Sequence, residues 1–328
     1  MAGLFCGGCL SWLMPLNIEA VPVGERVTIL EGPRARLQLE TGLDEFRLRE
    51  PDLTSPELDE AYWLRIERAS RDGTVGGYIS SLDDHNGALV LLFDGAATTY
   101  RNGGLETAIS YYDVFGKDLR DAGFMTWAVV LPEYDTSYGD ADLADALEVL
   151  DWLESGGREF LGIERIYVVG YSSGATVVNL LNLEREVDAM VSLGGLTQPN
   201  QLVGGYWFYV LLSGMFAHNA GYGQLGQTML EIAPGSPTRN RLDVVSRLEE
   251  FRSPMLFIHG TLDAFYLVDN TRALEARYRA LRAAGVADLV ELDFHYIPNG
   301  VHFELRKNPA VRVRIIDYLM QFEPGAGN

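Results

Sequence analysis

Cysteine is nearly absent from this 328-residue chain: the only two are Cys6 and Cys9, both near the N-terminus. No disulfide can therefore staple the main body and no thiolate cluster there can hold zinc, so stability has to come from packing. Basic residues are scarce as well. Lys plus Arg number 26 against 46 Asp plus Glu, a formal charge of −20, which repels phosphate backbones and anionic lipid surfaces and makes nucleic acid a poor partner. Hydrophobic residues at 47% and charged residues at 22% are the values of an ordinary folded globular protein.

Charge is also missing from residues 1–18, and Leu4 to Leu16 is apolar. That raises an export signal or a lipidated anchor as an alternative to a cytoplasmic location, with any membrane association confined to residues 1–20. Both fit poorly. No basic residue precedes Arg26, Gly7, Gly8 and Pro15 interrupt the run, and a spanning helix needs about 20 apolar residues. Cys9 follows Gly7-Gly8 as in a lipoprotein signal, but Cys6 stands where Leu is expected. The organisation expected is an apolar segment, 1–25, followed by one domain, 26–328.

Neither repeats nor low-complexity tracts occur, and residues 50–60, around Pro51 and Pro56, read as a linker. Val27–Leu30 and Arg34–Leu39 read as strands, and Tyr62–Ala69, Asp72-Gly73 and Gly77–Leu82 as a hairpin, giving an antiparallel lead-in. After Gly87 short apolar runs alternate with amphipathic stretches, the pattern of a mostly parallel sheet with helices on both faces. Strands are expected at Ala88–Phe93, Met125–Leu131, Arg165–Val169, Ala189–Leu193, Pro254–Ile258 and Leu289–Ile297. Helices are expected at Tyr111–Ala122, Leu143–Glu154, Ala175–Leu183, Asn270–Ala284 and Pro309–Phe322. Residues 197–250 break the rhythm with the run Tyr206 to Leu212 and read as a lid-like insertion.

The chemistry gathers at a few positions. Ile166 to Val169 runs into Gly170-Tyr171-Ser172-Ser173-Gly174, and a helix-like stretch follows. A serine on so tight a strand-to-helix turn needs small residues two before and two after it, and Gly170 and Gly174 supply them. The turn presents the Ser172 hydroxyl as a nucleophile and the Ser173 N–H as an oxyanion donor. A serine also needs a base, and the base a carboxylate. Asp263 closes a turn after the apolar run Met255 to Ile258. His302 follows the last strand in a loop opened by Pro298-Asn299-Gly300, at the carboxyl edge where open α/β sheets bind ligands. His259 reads as a structural strand-end residue, His295 as a strand residue, His85 as a turn residue and His218 as part of the insertion. Asp269 reads as a helix cap.

The order Ser172, Asp263, His302, the elbow Gly170 to Gly174, and the segment Ile258-His259-Gly260-Thr261-Leu262-Asp263 resemble the α/β-hydrolase superfamily over about Ala88 to Phe322. Ser236-Pro237, the stretch Arg277 to Gly285 and Gly300-Val301-His302-Phe303 are similar to its prolyl-oligopeptidase and dienelactone-hydrolase branch. The resemblance implies a Ser-Asp-His triad acting on a small-molecule carboxylic ester, with no cofactor and no metal. An oligopeptidase is the alternative within the branch, and a non-catalytic binding protein the alternative outside it. One departure stands out. Many relatives carry His-Gly-Gly after the first long parallel strand, where this chain has Phe93-Asp94-Gly95-Ala96-Ala97. The Ala96 N–H is the expected second oxyanion donor, and Asp94 has to turn away, accepting backbone N–H groups of the following turn.

Overall fold

A computed structural model describes residues 19–22, 27–31, 61–70, 73–80, 84–95, 115–131, 140–199 and 237–325. Ten strands lie in one sheet: β1 (Glu19–Pro22), β2 (Val27–Glu31), β3 (Ala61–Glu67), β4 (Thr74–Ser80), β5 (Ala88–Phe93), β6 (Met125–Val130), β7 (Arg165–Tyr171), β8 (Ala189–Leu193), β9 (Met255–Gly260) and β10 (Leu292–Ile297). Their spatial order is β1-β2-β3-β4-β6-β5-β7-β8-β9-β10. β1 to β4 and the β4–β6 joint pair antiparallel, and from β6 to β10 every pair is parallel. The antiparallel lead-in and the parallel body are thus those expected from the sequence.

The helices are α1 (Lys117–Asp121), α2 (Asp140–Trp152), α3 (Arg158–Leu161), α4 (Ser173–Glu184), α5 (Pro237–Leu242), α6 (Asp269–Ala283), α7 (His302–Leu305) and α8 (Pro309–Leu319). Alternation along the central strands divides the core in two. On β5, Leu89, Leu91 and Phe93 join the cluster that includes Val149 and Leu150 of α2, Val177 and Leu181 of α4 and Leu274 of α6. Ala88, Val90 and Leu92 point the other way, to Leu119 of α1 and Val311, Ile315 and Leu319 of α8. Every β5 side chain is fully buried. Complete burial of a Val, Leu or Phe stabilises by about 1.5–3 kcal/mol, so the strand that leads into the Asp94 loop is firmly anchored.

Residues 34–39 and 50–60, read as strand and linker, lie outside the described residues. So does 200–236, most of the expected insertion. Its return is described: the Val244 N–H donates to the Thr197 carbonyl at 3.1 Å, and Leu242, Val244 and Leu248 are buried in the core. The expectation that residues 1–20 offer a route to a membrane is corrected. No helix among the described residues is long and apolar enough to cross one. Glu19 and Ala20 instead open β1, whose backbone pairs with β2. Among the described strands β1 is at the edge of the sheet, a place that tolerates Pro22. Residues 1–18 lie outside the described residues.

The lead-in hairpin is tied to α2 by charge. Arg68 donates to both oxygens of Asp145 at 2.6 and 2.7 Å, and the Ala69 and Ser70 N–H groups donate to Glu148 at 2.9 and 2.6 Å. The Asp145 side chain is inaccessible and that of Arg68 only 6% exposed. Breaking a buried pair costs about 3–5 kcal/mol because it strands the remaining charge. Asp145→Ala is therefore expected to destabilise the protein by about 3 kcal/mol, read as a lower urea midpoint with an unchanged m-value.

Candidate active site

Ser172 lies between β7 and α4 with φ 58° and ψ −120°. A side chain held at positive φ costs roughly 1–3 kcal/mol unless its surroundings dictate it. Here they do. The Ser172 N–H donates to the Leu193 carbonyl at 2.9 Å, which ties the turn to the end of β8. A Cβ on Gly170 would stand 2.5 Å from the Gly174 oxygen, and one on Gly174 would stand 2.2 Å from the Phe93 oxygen. Strand and helix pass at backbone contact, which no larger residue permits.

Asp263 and His302 reach this serine from two loops held together. The Thr261 N–H donates to the Ile297 carbonyl at 3.0 Å and the Leu262 N–H to the Gly300 carbonyl at 2.9 Å. A Cβ on Gly260 would lie 2.3 Å from the Gly300 oxygen. His302 was read as a loop residue and instead heads α7. Its Nε2 is 2.8 Å from Ser172 Oγ and its Nδ1 2.6 Å from Asp263 Oδ2. A carboxylate only accepts, so Nδ1 carries the proton and Nε2 accepts from the serine. Asp263 Oδ1 accepts from the N–H groups of Phe265 and Tyr266 at 2.8 and 3.0 Å. Burial pushes the Asp263 carboxyl up, but hydrogen bonds from His259 and His302 outweigh it and hold it at about 2.

His302 is itself buried in an aromatic setting. Phe265 stacks on the imidazole with centroids 5.0 Å apart, and Tyr171, Tyr266 and Phe303 lie 5.3, 5.7 and 5.6 Å away. The Tyr171 hydroxyl donates to the His302 carbonyl at 3.1 Å. Of the other histidines, His85 accepts the Gly87 N–H in a turn, His295 lies in β10, and His218 is outside the described residues. Asp269 is the first residue of α6 rather than its cap and pairs with Arg272 at 3.0 Å.

Ser173 is the first residue of α4 and is buried. Ala96 lies outside the described residues. The loop it belongs to is described as far as Gly95, which presses against the serine: a Cβ there would be 2.7 Å from Ser172 Cβ. Asp94 turns back on its own loop, accepting the Gly95 N–H at 2.7 Å, and its Oδ2 lies 3.6 Å from Arg306 Nη1. Arg306, which no motif singles out, also stands over the Tyr171 ring at 5.7 Å. Burial raises the Asp94 carboxyl to about 7, against the lowering pull of the Gly95 N–H and Arg306.

No family model and no curated protein sequence matches the chain. Solved structures do. A Pyrococcus furiosus esterase superposes with a TM-score of 0.58 at 15% identity, covering 84% of this chain and 95% of its own. A truncated carbohydrate esterase from gut microbiota gives 0.57 at 13%, covering 79% and 95%. The acylaminoacyl peptidase of Pyrococcus horikoshii gives 0.53 at 15%, covering 92% of this chain and 48% of that one. The chain has the α/β-hydrolase fold. Within that fold Ser172 occupies the strand-to-helix turn at the centre of the sheet, and Asp263 and His302 the loops after β9 and β10.

The raised Asp94 carboxyl sets a pH dependence. A proton held more tightly in the folded state favours folding by an amount fully present below about pH 3.8 and lost as pH rises through about 7. Asp94→Asn keeps the group neutral throughout. Its melting temperature relative to wild type should therefore rise between pH 5 and pH 9, as followed by thermal unfolding in buffers of equal ionic strength.

Proposed function

We propose that the chain is a serine hydrolase that cleaves carboxylic esters through an acyl-serine intermediate. Residues 26–328 form its catalytic domain, a reading supported by nine of the ten described strands, β2 to β10, which lie in that range and in one sheet; β1 joins the same sheet from the segment before it. The observation that carries the proposal is the unbroken hydrogen-bonded series from Ser172 Oγ through His302 to Asp263, with the serine on a strained turn at the head of a helix. His302 Nε2 takes the hydroxyl proton as Oγ adds to the ester carbonyl, and Asp263 stabilises the imidazolium that forms. The oxyanion is met by the N–H groups of Ser173 and Ala96. His302 then passes its proton to the departing alkoxide, and in the second half-reaction it deprotonates the water that releases the acid.

An ester is favoured over a peptide on two grounds. The esterase structures are spanned nearly whole by this chain, whereas only 48% of the peptidase chain is matched. Around His302 the surface is apolar: Leu262 is 57% exposed, Phe303 49% and Val301 37%, with Phe303 edge-on to Phe265 at 4.7 Å. Contiguous exposed apolar side chains mark binding surfaces, and these suit an uncharged ester group. Serine oligopeptidase activity of the prolyl-oligopeptidase type is the second reading. It is supported by the Gly300 to Phe303 turn and by the peptidase's shared fold over 92% of this chain.

Purified protein should hydrolyse p-nitrophenyl acetate, butyrate or octanoate, and Ser172→Ala and His302→Ala should each lower kcat/KM by at least about 10³-fold. A fluorophosphonate should label wild type and not Ser172→Ala. Activity confined to blocked-peptide p-nitroanilides would shift the reading to a peptidase, and neither activity nor labelling would leave a non-catalytic fold.

A further inference from the structure

His259 ends no chain of contacts visible in the sequence, yet it is 1% exposed and its ring touches both sides of the Asp263 turn. Nε2 is 2.7 Å from the Tyr266 carbonyl, and Nδ1 is 2.7 Å from Thr271 Oγ1. A carbonyl oxygen only accepts, so Nε2 must carry a proton, and in the neutral ring Nδ1 accepts from the Thr271 hydroxyl. The same Nε2 lies 3.4 Å from Asp263 Oδ2, the oxygen that accepts from His302 at 2.6 Å. That oxygen thereby accepts from His302 and also faces a second imidazole nitrogen, whose proton goes to the Tyr266 carbonyl. The other oxygen takes the N–H of Tyr266 at 3.0 Å, and His259 holds the carbonyl of that same residue.

We infer that His259 is a positioning residue of the hydrolase: its Nε2–H fixes the orientation of Asp263 and so aims His302 at Ser172. This rests on the reading of Ser172, His302 and Asp263 as the reacting series and adds a fourth member that touches no substrate. Three features carry it. The tautomer is dictated by a carbonyl on one nitrogen and a hydroxyl on the other, so the proton faces the Asp263 turn without a choice. His259 stands on β9, a strand buried along its whole length, whereas Asp263 stands on a turn whose outer residues Leu262 and Ala264 are exposed. Thr271 belongs to the first turn of α6, so the ring ties strand, turn and helix together. A reacting geometry displaced by about 1 Å can lose roughly 10²-fold in rate.

The experiment compares wild type with His259→Phe, His259→Gln and Thr271→Val in ester hydrolysis and in the low-field proton spectrum, where a short Nδ1–H to carboxylate bond gives the His302 resonance. His259→Phe keeps the ring volume without the N–H and should lower kcat by roughly 10- to 100-fold with KM unchanged, and shift or broaden the resonance. His259→Gln can still present an N–H near the Nε2 position and should restore most of kcat and the resonance. Thr271→Val is close in shape and releases Nδ1, so it should shift the resonance and lower kcat in the same direction as His259→Phe, and it decides the matter if that variant fails to fold. Unchanged kcat and resonance in His259→Phe and Thr271→Val would overturn the inference, as would equal losses in the Phe and Gln variants with the resonance unmoved. Wild type that hydrolyses no ester yet shows the resonance, moving as described in the variants, would sink the esterase reading and leave the positioning role standing.

Discussion

Everything in the site hangs on the backbone contact among β5, β7 and α4. Gly170, Gly174 and the Phe93 carbonyl approach so closely that a single added Cβ would overlap backbone atoms, and this closeness is what forces Ser172 to positive φ. The strain is sustained because β5 and β7 are buried on both faces by two separate apolar clusters. The turn cannot relax without opening the centre of the sheet. A serine held in this way loses little orientational freedom when a substrate arrives, which is where much of the advantage of a preorganised nucleophile lies.

Two buried carboxyls flank that serine and meet opposite fates for the same reason. Asp263 accepts two backbone N–H groups on one oxygen and faces His302 and His259 with the other, and the hydrogen bonds and electrostatic pull of the two imidazoles outweigh its desolvation. Asp94 accepts one N–H from its neighbour, and the guanidinium of Arg306 stands 3.6 Å away, so desolvation wins. Two imidazoles in contact on one side, against one backbone N–H and a more distant guanidinium on the other, separate them. The distinction suits the chemistry proposed: an anion is wanted behind the imidazole, where positive charge develops, and is unwelcome beside the place where an oxyanion would form.

The sequence made the parallel half of the sheet legible because strands buried on both faces read as unbroken apolar runs, and β8 falls on the residues expected. Ser172, Asp263 and His302 could be singled out because each follows such a run at a turn. Other features were out of reach for definite reasons. β1 is four residues long and contains Pro22, so no alternation can be recognised. His302 heads a one-turn helix too short to carry a period. Arg306 meets Asp94 across 212 positions of chain, and an ion pair of that separation leaves no local trace. His259 was read as structural from its place at a strand end, and its place was right; the direction of its ring, which puts Nε2 between Tyr266 and Asp263, depends on the turn that follows and is not encoded in spacing.

Strand register is the last link. In a half-exposed sheet a slip of one residue would drive polar groups inward, and that penalty fixes the pairing. β5 is apolar toward both faces, as are β7, β8 and β9 apart from Arg165, Ser192 and His259, so a slip would largely exchange one apolar cluster for the other, and polarity discriminates weakly. Shape must do more of the work. Gly260 is level with Ile297 in the β9–β10 ladder, and its missing Cβ is what admits the Gly300 carbonyl. Any other register would bring Ile258, His259 or Thr261 against that oxygen, and each carries a Cβ. The same contact places the turn bearing Asp263 beside the loop bearing His302. The glycines that let the loops touch are therefore also the residues that select the register in which those side chains can meet.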